Sequence, residues 1–276
     1  PPTSAAQVGL SSLPRGLGAG SAKGLGVSAL FKYSERSAAG MRSESLRNSL
    51  IVDYGVTKRL TGVLILPYIH NESESSGQKQ SASGLGDLVV LGKFALYQDH
   101  RILDREILLI AGLELPTGYN DAKDSRGQRL PLTLQPGSDS LDWLAGAAVV
   151  WSYWKLALYG DAIYKRSGRE SYTFGDSVGL NAGANLPLEF APKFSVSAEL
   201  NYELARRDRS HFAGGIVADT GGESLFLTPS VQARPRPNLS IAAGVQIPVY
   251  QNLNGAQLKS GLNPIASLSL RFSTSR

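Results

Sequence analysis

From Gly24 onward, apolar residues recur at every second position. Between 194 and 204, Phe194, Val196, Ala198, Leu200, Tyr202 and Leu204 fall on one face, and Ser195, Ser197, Glu199, Asn201 and Glu203 on the other. A helix would scatter that apolar set around its cylinder; an extended strand gathers it on one side. The same rhythm governs 239–249, 176–186 and 105–115, where Ile107, Leu109, Ala111, Leu113 and Leu115 oppose Glu106 and Glu114. Extended over the chain, it predicts twelve strands: 24–34, 44–55, 59–69, 84–97, 105–116, 141–152, 154–166, 175–187, 193–205, 223–233, 238–249 and 263–272. Each is close to the 9–11 residues that a tilted strand needs to cross a bilayer.

The connections sort into two kinds. Short ones are Gly55–Lys58, Gln98–Asp104, the turn at Tyr153, Pro187–Pro192 and Arg234–Pro237. Long polar ones are predicted at Glu35–Ser43, His70–Ser83, Thr117–Ser140, Ser167–Phe174, Arg206–Gly222 and Tyr250–Leu262. Short turns at one end and long loops at the other are the habit of bacterial outer-membrane barrels. An even strand number closes the sheet and leaves no unpaired edge in lipid. The expectation is therefore an all-β, transmembrane, antiparallel up-and-down β-barrel spanning 24–276. It would sit in the bacterial outer membrane with both termini in the periplasm. Residues 1–23, rich in Gly, Ser, Ala and Pro, read as a flexible N-terminal segment. The chain opens Pro1-Pro2-Thr3, as expected of a mature form that has lost its signal.

Composition changes this picture little. Mean hydropathy near zero fits a barrel in which only alternate residues meet lipid. The 276 residues include no cysteine, which excludes a disulfide scaffold and a thiolate metal site. A formal charge of +5, spread among acidic residues, lacks the concentrated stripe of a nucleic-acid surface. Aromatic residues near predicted strand ends, namely Tyr54, Tyr68, Tyr97, Trp151, Tyr153, Trp154, Tyr164, Tyr202 and Phe272, suit interfacial girdles, although strands favour such rings in any case.

Candidate chemistry is sparse. Gly175-Asp176-Ser177-Val178-Gly179 matches a nucleophile elbow, but the alternation continues to Leu186 and places Ser177 inside a strand. His70, His100 and His211 fall in predicted loops or turns, far from a wall-mounted serine. No catalytic residue, metal site or cofactor is expected. The Asp121, Asp124, Asp139 and Asp142 group reads as solvated loop rather than a calcium site. The Gly16–Gly20 run lacks the strand and helix of a phosphate loop. More informative are the charges that strand parity turns inward: Arg47, Asp53, Asp87, Lys93, Glu106, Glu114, Asp161, Lys165, Glu199, Glu203 and Arg271. They either brace a narrow barrel through internal ion pairs or line a solute path, and their mixed signs argue against strong ion selectivity.

Several segments resemble one family. They are Tyr54-Gly55-Val56-Thr57-Lys58-Arg59-Leu60, Leu66-Pro67-Tyr68, Ser83-Gly84-Leu85-Gly86-Asp87-Leu88, Leu115-Pro116-Thr117-Gly118, Leu134-Gln135-Pro136-Gly137-Ser138 and Pro248-Val249-Tyr250-Gln251-Asn252-Leu253-Asn254-Gly255. Their order and spacing resemble the outer-membrane family associated with the meta-cleavage pathway of phenol degradation. That resemblance implies a barrel that transports small solutes, aromatic or hydrophobic ones among them, and supplies no catalytic residues. Three roles follow as expectations: a passive channel in contact with outer-membrane lipid and a small-molecule solute; a structural sleeve or anchor for a periplasmic partner such as a redox protein; and, third, an outer-membrane hydrolase.

Overall fold

The computed structural model describes residues 23–38, 40–99, 105–168, 172–210 and 215–272. The segment expected to be flexible, 1–23, lies outside them except for Lys23, as do His100 and His211.

Twelve strands form one closed antiparallel sheet. They are β1 (Leu25–Ala38), β2 (Met41–Gly55), β3 (Leu60–Ser75), β4 in two pieces (Gln78–Leu85 and Leu88–Asp99), β5 (Arg105–Leu115) and β6 (Asp142–Tyr153). They continue with β7 (Leu156–Arg166), β8 (Ser177–Leu188), β9 (Ala191–Ala205), β10 (Gly222–Arg236), β11 (Leu239–Leu253) and β12 (Asn263–Phe272). Each strand pairs with its chain neighbours, and β1 closes the ring by pairing with both β2 and β12. Leu25 lies opposite Tyr54 on one side and Phe272 on the other; Lys32 lies opposite Arg47 and Ile265. The ring has no open edge, and a lipid environment demands such closure because it offers no partner to an unpaired edge.

Alternation assigns the two faces. Along β9, Phe194, Val196, Leu200 and Leu204 are exposed, whereas Ser195, Glu199 and Asn201 are buried. Along β3, Leu64, Leu66 and Tyr68 point out, and Thr61, Val63, Ile65 and Ile69 point in. The exposed set repeats around the barrel through Leu109, Val149, Leu158, Leu180, Leu227, Ile241 and Leu268. A soluble monomer rarely shows an apolar patch beyond a few hundred Å²; here the outward face is apolar on every strand.

Rings mark both margins of this belt. Tyr54, Tyr97, Trp151, Tyr153, Trp154 and Phe272 are exposed at the end with the short turns, and Tyr68 and Tyr164 are exposed toward the other end, where Tyr202 is half-buried. On β6, Trp143 and Trp151 both face outward. Eight positions separate them, roughly 27 Å along the strand. A tilt of about 40° reduces this to a height of roughly 21 Å, somewhat under the ~25 Å apolar band of such barrels. At the short-turn margin, the Arg105 guanidinium lies 4.2 Å from the centroid of the Trp151 ring and the Lys155 ammonium 4.8 Å from that of Trp154, each cation over the electron-rich face of its ring.

All twelve expected strands are present, but two of the six expected long loops are not loops. Glu35–Ser43 and His70–Ser83 are mostly strand. β1 and β2 remain paired up to Ala38 and Met41, and β3 and β4 up to Ser75 and Gln78, with Ser76 and Gly77 making a tight turn at φ 51° and 76°. These hairpins rise beyond the apolar belt, where both faces meet water, so their sequences carry polar residues on both faces. Cross-strand pairs hold them: Arg42 with Glu35 at 3.2 Å, and Lys79 with Glu72 at 2.9 Å. The loop end is further knitted by a small sheet in which Arg209–Ser210 pairs with both Gly215–Ile216 and Tyr172–Thr173.

β4 breaks at Gly86–Asp87, and the break seats the long connection 116–141. The Asp87 carboxylate accepts the Gly118 N–H (2.9 Å) at one oxygen and the Ser138 N–H (2.7 Å) at the other. Gly118 and Gly137 meet backbone to backbone, so that a Cβ on either would come within 2.6 Å of the other. Beyond this root the loop folds on itself. Gln135 donates to the carbonyls of Ala122 and Leu130 and accepts the Ala122 N–H. Leu130 and Leu134 bury against Ala122 and against Ala82 of the hairpin.

Candidate functional site in the barrel lumen

The inward face is chemically divided. The inner residues of β3–β7 include Val63, Ile65, Val89, Leu91, Ala95, Leu108, Ile110, Leu144, Ala148, Tyr159 and Ile163, which pack as one buried cluster. Those of β8–β12 are mainly amides and hydroxyls: Asn181, Asn185, Ser195, Asn201, Thr228, Gln232, Ser240, Gln246, Asn263 and Ser267 are all buried or nearly so, with Phe226 and Ala242 as apolar exceptions. One half of the lumen carries a greasy cluster with buried charges (Lys93, Glu106, Glu114, Asp142, Asp161 and Lys165) set around it, and the other is mainly amides and hydroxyls.

The polar half is hydrogen-bonded from strand to strand. Asn181 donates to Asp161 (2.9 Å), and Asn201 donates to Asn181 (2.8 Å) and to Glu199. Thr228 (2.6 Å) and Gln246 (3.5 Å) donate to the Asn201 carbonyl oxygen, and Asn263 donates to Gln246 at 3.4 Å. This belt crosses β7 to β12 at one level. Buried amides without partners would be costly; here each finds one on the neighbouring strand.

The eleven inward charges fall into distinct settings. Lys165 bridges Glu114 and Asp142, at 2.7 Å each, and Asp142 also accepts from the Ser140 hydroxyl (2.6 Å) and the Gly168 N–H (3.0 Å). This group braces β5, β6 and β7 beneath the long loop. Asp87 pins that loop. Asp161 and Glu199 belong to the amide belt. Lys93 and Glu106 are buried, and Asp53, Glu203 and Arg271 are half-buried on the inward side of their strands. Arg47 is half-buried on β2, and its Nε atom is buried without a hydrogen-bond partner. The sequence reading omitted Lys32 and Arg36. Their signal was present: on β1, Leu25, Val27, Ala29, Phe31 and Tyr33 alternate with Ser28, Lys32, Ser34 and Arg36.

At the loop end the lumen widens into a cavity of about 470 Å³, within the range of small-molecule sites. Its walls include Lys32, Arg36 and Arg47 from β1 and β2, Leu134 and Pro136 from the long loop, Phe174, and Phe226 of β10. Beside it, the Tyr172 hydroxyl donates to Asp208 at 2.7 Å, and Asp208 also accepts the Gly175 N–H at 2.8 Å. Burial, and then this carboxylate, push the Tyr172 phenol well above its ordinary pKa, so it remains a donor.

Ser177, expected inside a strand, is the first residue of β8 and is buried. His70 pairs with the Ser83 hydroxyl (2.6 Å) on the exposed β3–β4 hairpin. Among the described residues no group of three or more His, Asp or Glu side chains is placed to hold a metal ion. Asp124 caps its own turn by accepting the Arg126 and Gln128 N–H groups, each at 2.8 Å.

A closed twelve-stranded barrel, apolar outside and ringed by aromatic residues, defines the molecule as a transmembrane β-barrel of the outer-membrane type. The family profile described as "Putative MetA-pathway of phenol degradation" matches residues 46–247, and the chain belongs to that family. Among solved structures, an outer membrane channel from Pseudomonas putida F1 superposes with a TM-score of 0.72 at 17% identity, covering 93% of this chain and 97% of that one. The translocator domain of the autotransporter NalP from Neisseria meningitidis gives a TM-score of 0.53 at 11% identity, covering 91% and 89% of the two chains. The β domain of the Bordetella autotransporter BrkA gives 0.52 at 11% identity, covering 91% and 100%. At these identities the likeness is one of fold. No curated protein matches the sequence.

Proposed function

We propose that this protein is a passive channel of the bacterial outer membrane that admits small amphipathic solutes, with the cavity and long loops facing the outside and both ends of the sheet in the periplasm. The divided lumen carries this reading. A path with a greasy side from β3–β7 and an amide-lined side from β8–β12 offers a ring or chain one wall and its polar substituent the other. A uniformly wet pore would favour only hydrophilic solutes. The family's description and the channel from Pseudomonas putida F1 point the same way. In this reading the eleven inward charges divide between bracing and lining: the Lys165 group holds the wall in shape, and Arg47 and Glu203 meet the solute in the cavity.

The test is reconstitution of the purified chain in planar bilayers and in liposomes. Discrete conductance steps, with liposome swelling faster for small amphipathic solutes than for sugars of equal size, are expected. Silent bilayers together with a co-purifying periplasmic protein would instead support a sheath around that partner.

A further inference from the structure

The cavity at the loop end has an unusual electrostatic wall. Lys32 and Arg47 are direct cross-strand partners on the inward face, and Arg36 follows two inward positions above Lys32, beyond Ser34. Like charges set opposite one another on a sheet, as Lys32 and Arg47 are, are destabilising, and Lys32 is only 7% exposed. The carboxylates that would offset them are engaged elsewhere. Arg47 feels Glu114 and Asp87, but Glu114 is bound to Lys165 and Asp87 to the two loop amides. Glu203 alone acts through space on both Lys32 and Arg36. Among the described residues no carboxylate comes within ion-pair distance of the three cations, and the Arg47 Nε has no acceptor.

A buried donor left unmatched costs free energy unless something else accepts from it. The same cavity is lined by Ile69, Leu134, Phe174 and Phe226, all buried. Cations on one side and rings or aliphatic groups on the other fit a solute that joins a carboxylate to an apolar body. Building on the channel reading, we propose that Lys32, Arg36 and Arg47 form a binding site for the carboxylate of small apolar acids, which enter the barrel through it. The carboxylate accepts from the Arg47 guanidinium and the Lys32 ammonium, and the apolar body rests against Phe174 and Phe226.

Calorimetric titration of the detergent-solubilised full chain with sodium benzoate tests this, with benzyl alcohol and sodium phosphate as the two half-matching probes. Saturable binding of benzoate is expected, at least roughly tenfold tighter than either. Arg47→Met and Lys32→Met should each weaken it by about tenfold, the scale of one hydrogen bond to a charged group, and Lys32→Arg should keep it. The unheated, compact band of a folded barrel on gels confirms that each variant is intact. No saturable benzoate heat, equal binding of phosphate or benzyl alcohol, or full affinity in both methionine variants overturns the site. Conductance in planar bilayers is recorded on the same preparation. Benzoate binding with silent bilayers keeps the site and removes the channel; conductance without benzoate binding does the reverse.

Discussion

The two halves of the barrel look alike from the membrane and differ from within, where one carries an apolar cluster beside its buried charges and the other a web of amides. Leu109 on β5 and Leu200 on β9 are equally exposed to lipid, yet the residues one position away are Leu108 in an apolar cluster and Asn201 in a web of amides. The outward face answers only to the bilayer, which asks the same of every strand. The inward face is free of that demand, so its chemistry reflects what the lumen holds. Alternation therefore identifies the architecture, and the identity of the inner residues carries the functional information.

The comparison can be broken most severely at the ion group beneath the loop. Lys165→Met removes the single cation shared by Glu114 and Asp142 and leaves two buried carboxylates facing each other. Chemical unfolding of the micelle-bound barrel should show a loss of about 3–5 kcal/mol. A loss below ~1 kcal/mol would mean that water already shares this site. Next is the greasy wall: Leu108→Ala, at a fully buried position, should cost about 2–5 kcal/mol by the same measurement. Its neighbour tests the other face. Leu109→Arg puts a charge into lipid and should cost about 2–4 kcal/mol if it lies near mid-depth, whereas a near-zero effect would place β5 at the membrane margin. Asp87→Ala removes the acceptor of both loop amides and should cost about 1–3 kcal/mol, with protease cutting between 117 and 141 becoming faster. The smallest effect belongs to the polar wall: Ser197→Ala loses a single hydroxyl pair with Ser230 and should change stability by about 1 kcal/mol or less. If Ser197→Ala proved as damaging as Leu108→Ala, the contrast between an apolar packed wall and a hydrogen-bonded one would fail.

Much of this was legible in the sequence, and the gaps have physical causes. The twelve strands could be read because lipid imposes a regular period. That period vanishes above the apolar belt, where Glu72, Ser73, Glu74 and Ser75 continue β3 with polar groups on both faces, so the two projecting hairpins read as loops. The long connection was recognisable as a loop but its course was not. Asp87 finds its partners 31 and 51 residues away, and no local pattern announces such contacts. The run Leu130, Leu132, Leu134 hinted at burial within a polar stretch. Inward charges could be assigned by parity, but parity does not say which brace and which remain available. Glu114 and Arg47 looked equivalent in sequence; the structure gives one a lysine at 2.7 Å and leaves the other's Nε without an acceptor.

The contact between Gly118 and Gly137 has an evolutionary corollary. Two main chains that touch without side chains between them tolerate no replacement at either point, and Asp87 accepts from main-chain N–H groups, which every residue but proline possesses. The root of the loop is thus fixed by two glycines, one carboxylate and main-chain amides, while the arc from 120 to 133 answers mainly to itself through Gln135. Such a module can be exchanged for another of different length or polarity without disturbing the wall that carries it, so a lineage can retune what its barrel admits by rewriting a dozen codons and leaving the other strands alone.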